Sequence, residues 1–73
     1  MEPMVRVTYN CLNPKVCTGE VHTQLSNAYP HEASYIVEEL RIAGATYASV
    51  ETLEGGQLGA ILPNGDVWAI NPN

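Results

Sequence analysis

The sequence predicts an α+β fold: one small domain whose antiparallel sheet runs in the order β-β-α-β-β-β, with one helix packed on one face. Three observations carry that prediction. The chain has 73 residues, below the ~100 to 150 typical of a single domain, so residues 1–73 share one core. Apolar residues recur with period two in several short stretches, the spacing of half-buried strands. In one stretch only they recur with the period of an amphipathic helix.

Met4 to Leu12 alternates, with Val5, Val7, Tyr9 and Cys11 on one face and Arg6, Thr8 and Asn10 on the other, which reads as a strand in β-favouring residues. Asn13-Pro14-Lys15 then breaks the ladder, because proline has no N–H and biases its predecessor away from the helical region. A second strand spans Glu20 to Leu25, with Val21, Thr23 and Leu25 opposed to Glu20, His22 and Gln24, and pairs with the first. Next, Ala33, Ile36, Val37, Leu40 and Ala43 form one helical stripe. Pro30 suits a first helical position, Glu32 the positive end of the helix dipole, Arg41 the negative end and Gly44 the stop. Tyr35 and Ile42 lie off the stripe, as flank packing or as an exposed contact. Tyr47 to Leu53, Gln57 to Leu62 and Val67 to Ile70 return to strands, separated by turns at Glu54-Gly55-Gly56 and Pro63-Asn64-Gly65-Asp66. In the Asn64-Gly65 turn both residues tolerate the positive φ of a tight hairpin. The short turns imply a meander, and the helix has only the sheet to pack against. The final strand is the expected open edge, and open edges invite pairing.

Composition narrows the function. Eight acidic against three basic side chains give a net charge of −5 and a pI near 4.6, which opposes direct binding to a phosphate backbone. The longest apolar run falls short of the ~18 residues of a membrane span. Met1 to Arg6 lacks the basic stretch and apolar block of a secretory signal, so the expected location is cytoplasmic, with no membrane partner. Only 15% of residues are charged, against ~25% in ordinary globular chains; a surface poor in charge is what interface cores favour. All five aromatics, Tyr9, Tyr29, Tyr35, Tyr47 and Trp68, carry a polar group and Phe is absent, which suits contact surfaces. It also suits a small core that exposes the edges of its rings.

Reactive groups are sparse. Cys11, Cys17, His22 and His31 read C-x5-C-x4-H-x8-H, wider than the x2 to x4 cysteine spacing of zinc sites, so no metal is expected and the cysteines read as reduced and structural. His22 and His31 have no accompanying nucleophile motif, and Glu54-Gly55-Gly56-Gln57 lacks the length and lysine of a phosphate loop. The expectation is a protein without catalytic residues or cofactor. Glu32, Glu38, Glu39, Glu51 and Glu54 are too dispersed for a nucleic-acid mimic, and Glu38 and Glu39 also read as a solvated helix face.

The order of a strand pair, the Glu-rich helix His31-Glu32-Ala33-Ser34-Tyr35-Ile36-Val37-Glu38-Glu39-Leu40 and a meander ending Asn64-Gly65-Asp66-Val67-Trp68 resembles small acidic bacteriophage proteins that inhibit host defence, anti-CRISPR proteins among them. The resemblance covers most of the chain in size, charge and element order, without a shared motif. It implies a non-catalytic inhibitor that occupies a surface of a host protein, in the host cytoplasm. The expected binding residues are Tyr35, Tyr47 and Trp68 as anchors, with Glu38 and Glu39 beside them. A second expectation is an oligomer that sequesters a small signalling nucleotide between protomers, its bases stacked on Tyr or Trp and its phosphates held by Arg6, Lys15 and Arg41. A third is a structural homo-oligomer such as a virion accessory part.

Overall fold

A computed structural model describes residues 4–10 and 21–70. The elements are β1 (Val5–Asn10), β2 (Val21–Ser26), a 3-10 turn (Pro30–Glu32), α1 (Ala33–Ala43), β3 (Ala48–Glu51), β4 (Gln57–Ile61) and β5 (Val67–Ala69). They form one antiparallel sheet in the order β2-β1-β3-β4-β5, with the helix on one face. This is the α+β order that the periodicities predict. The expected turn at Asn13-Pro14-Lys15 lies outside the described residues, as do Cys11 and Cys17.

The entry to the helix is stepwise. Pro30 opens the 3-10 turn and not α1 itself. The Glu32 carboxylate accepts the Tyr29 N–H at 2.7 Å while the Glu32 N–H donates to the Tyr29 carbonyl at 2.9 Å, so Glu32 closes the backward half of a capping box. Gly44 ends the helix in the left-handed conformation, and the Ala45 N–H bonds the Leu40 carbonyl at 3.0 Å. The helical stripe is narrower than its apolar letters: Ala33 and Val37 are buried, Ile36 and Leu40 partly so, and Ala43 is exposed.

Small residues make the core. Val5, Val7, Ala33, Val37, Ala48, Val50, Leu58 and Ile61 pack together, closed by Ala28 and Ala45. α1 lies over β3, β4 and β5, and it sits close because Gly59 leaves a gap beneath it. A Cβ at Gly59 would meet Val37 Cγ2 at 2.9 Å, the Trp68 carbonyl oxygen at 3.1 Å and Ala69 Cβ at 3.2 Å. A register irregularity between Val50 and Glu51 skips Leu58, so Leu58 and Gly59 both turn toward the helix, as a β-bulge allows. In the β4–β5 turn only Gly65 has a positive φ, 97°, whereas the Asn64-Gly65 pair was expected to share it. Pro63 presets a type I turn with Asn64 at its second centre, and the left-handed residue comes one place later. The Leu62 N–H bonds the Asp66 carbonyl at 2.8 Å and Asn64 Oδ1 accepts the Asp66 N–H at 3.0 Å.

The two N-terminal strands turn their apolar rows to opposite faces. Val5 pairs with Ser26, Val7 with Gln24 and Tyr9 with His22, and directly paired residues share a face. Val5 and Val7 thus face the helix together with Ser26, Gln24 and His22. Val21, Thr23 and Leu25 point the other way, beside Arg6, Thr8 and Asn10; Val21 is 56% and Leu25 58% exposed. On that far face Thr8 and Thr23 hydroxyls meet at 3.2 Å, Arg6 pairs with Glu51 at 3.4 Å and Gln57 donates to Ser49 at 3.2 Å.

A groove between the helix and the uncovered strands

Because α1 rests on β3 to β5, the β1–β2 pair extends past the helix, and the step between them is a groove of about 270 Å³. Its wall is one flank of α1: Tyr35 and Glu39, with Ile36 and Leu40 below them. Those are two i, i+4 pairs side by side, so they stack on a single surface. Its floor is Val7 and Tyr9 of β1 and Gln24 and Ser26 of β2, which alternation and register bring to the helix side. The lining is mainly apolar. Tyr35 is 68% exposed at its rim, and Glu39 supplies the charge.

The expected binding residues do not form one cluster. Tyr35 and Glu39 meet in the groove. Glu38, one residue before Glu39, turns to Arg41, whose guanidinium bonds its two carboxylate oxygens at 3.0 and 2.5 Å. That hydrogen bond holds the Glu38 carboxyl below its ordinary value, outweighing an opposing desolvation, with the charge of Arg41 adding to it. Tyr47 lies half-buried ahead of β3, its carbonyl accepting the Asn10 N–H at 3.1 Å. Trp68 pairs with Ala60 on the far face and is 39% exposed. Strand register therefore sends Trp68 and Tyr35 to opposite sides of the sheet.

Tyr9 belongs to the groove and was absent from the expected set. The signal for it was present: it continues the Val5, Val7 alternation beyond the part of the strand that the core needs. Its ring lies 5.8 Å from that of His22, tilted by 37°. The other imidazole, His31, stacks on Tyr29 at 5.3 Å. Among the described residues no group of three or more His, Cys, Asp or Glu is placed to hold a metal ion, and no helix is long and apolar enough to cross a membrane. No family model matches this chain, and neither the curated proteins nor the solved structures yield a similar one.

Proposed function

We propose that this chain is a non-catalytic binding protein that occupies the surface of a host protein through the groove between α1 and the β1–β2 pair. One observation carries the reading: an apolar groove flanked by the largely exposed ring of Tyr35 and lined by Tyr9, Ile36 and Leu40. Amphipathic aromatic side chains around a concave apolar patch are the usual anchors of protein contacts. The partner that fits presents an aliphatic or aromatic side chain to the groove and a lysine or arginine to Glu39, consistent with a net charge of −5 steering a basic surface toward it. The resemblance to small acidic phage inhibitors points to a bacterial defence protein as the target, blocked by occupation and not by chemistry.

A nucleotide-sequestering role has less support at this groove, since its lining among the described residues includes Glu39 and neither Arg nor Lys, while Arg6 and Arg41 are engaged with Glu51 and Glu38. The test is affinity capture from bacterial lysate with the wild-type chain, Tyr35→Ala and Trp68→Ala, followed by titration of the captured protein. Tyr35→Ala is expected to weaken binding by about 2 kcal/mol, the scale of an interface hot spot, and Trp68→Ala by much less. Equal losses from both variants, or none from Tyr35→Ala, would refute the groove as the contact.

A further inference from the structure

We infer that the chain pairs with a second copy of itself along the edge of β2, which no strand among the described residues covers, so that each groove becomes half of a larger trough. This stands apart from the host-protein reading and needs no third molecule.

The backbone carries the argument. The Asn10 N–H bonds the Tyr47 carbonyl, so the even residues of β1 address β3. Residues along a strand alternate between its two neighbours, so Val5, Val7 and Tyr9 address β2 through their partners Ser26, Gln24 and His22. The N–H and C=O groups of Val21, Thr23 and Leu25 are therefore directed away from the sheet, at an end of the strand order β2-β1-β3-β4-β5. These groups are self-complementary. A two-fold axis perpendicular to the sheet at Thr23 sets Thr23 against its own copy and Val21 against Leu25 of the other chain, and it uses every outward N–H and C=O of the strand.

The side chains agree with that register. Val21 and Leu25, exposed in the single chain, become cross-strand apolar neighbours, and threonine pairs are among the favourable ones. The strand Val21-His22-Thr23-Gln24-Leu25-Ser26 contains no Lys, Asp, Glu or Pro, the residues with which exposed edges are normally protected. The opposite edge differs: β5 has only three residues. A domain this small also gains from association, because its own core supplies little stability.

The same axis keeps both helices on one side of the joined sheet. The strands between them, β1 and β2 of each chain, then floor a trough walled by Tyr35 and Glu39 from both. On the floor, Gln24 of one chain falls beside His22 of the other, so each groove is completed by the second copy.

The test uses charge at the axis. Sedimentation of the wild-type chain is expected to show a monomer–dimer equilibrium. Thr23→Lys and Thr23→Glu, each placing like charges in direct opposition, are expected to raise the dimer dissociation constant roughly tenfold or more, and an equimolar mixture of the two to restore dimer. In the wild type, amide exchange at Val21, Thr23 and Leu25 is expected to slow as concentration rises, while His22, Gln24 and Ser26 stay protected throughout. A wild-type monomer at every concentration, dimers that survive both charge variants, or exchange at the odd residues that ignores concentration would overturn the proposal.

Discussion

The two halves of this sheet are built from similar letters and end in different situations. Under α1, β3 and β4 bury Ala48, Val50, Leu58 and Ile61 against Val37, in contacts too tight to admit one more methyl at Gly59. At the other end β2 has the same alternation and comparable aliphatic content, yet every residue from Val21 to Leu25 is exposed. The difference teaches that an amphipathic strand contributes to a core only where something lies over its apolar face. Stability is thus concentrated on the helix side, where Val5 and Val7 of β1 also pack, and β2 is left for contacts.

That contrast can be broken most severely at Gly59. Gly59→Ala drives a Cβ into Val37 and into backbone of β5, and a clash with backbone relaxes poorly; we expect a loss of about 3 kcal/mol in urea unfolding. Since a core this small typically yields only ~3 to 5 kcal/mol, the variant should retain little or no net stability. Next in size is the matched pair Val50→Ala and Leu25→Ala. The first empties a fully buried site and should cost about 2 kcal/mol, whereas the second, measured on dilute monomer, should cost less than about 0.5 kcal/mol. Equal costs would show that β2 is covered in solution.

The smallest effect is at Glu38. Its carboxyl pKa is lowered in the folded chain by Arg41, so the pair favours the fold above the unfolded carboxyl value and loses that contribution as pH falls through the lower folded value. Both partners lie in solvent, where such pairs add little. Glu38→Gln is therefore expected to leave the thermal midpoint at neutral pH unchanged within error and to flatten its decline in acid slightly. A marked drop at neutral pH would show that Glu38 has a further contact.

Much of this architecture was legible in the sequence. The change of period at Ala33, the stop at Gly44 and the turn residues around Gly55 and Gly65 placed the helix and the last three strands, while the 3-10 turn at Pro30 was read as the start of the helix; β5 is a sheet edge as expected. Alternation states which residues share a face, but the face that meets the core depends on register with the neighbouring strand. For that reason Val21 and Leu25 read like Val5 and Val7 and point the other way. The bulge at Leu58 was hidden for a related reason, since a residue of β4 that is skipped in pairing with β3 leaves no trace in the letters of β4. The groove was half legible. Tyr35 and Glu39 stood out on the helix flank, but Tyr9 joins them only because α1 sits off centre, which no local pattern records. Trp68 was grouped with Tyr35 by chemistry and separated from it by geometry.

The off-centre helix is seated over the notch at Gly59. Where a sheet lacks a side chain, a helix can descend, and here that low point is on β4 and not at the midline. A side chain at 59 would meet Val37 of the helix and Trp68 and Ala69 of β5, so it would disturb the seat of the helix, and with it the recess at Tyr35, with no change to any residue that lines that recess. A cavity of this kind belongs to the seat of the helix more than to its own lining.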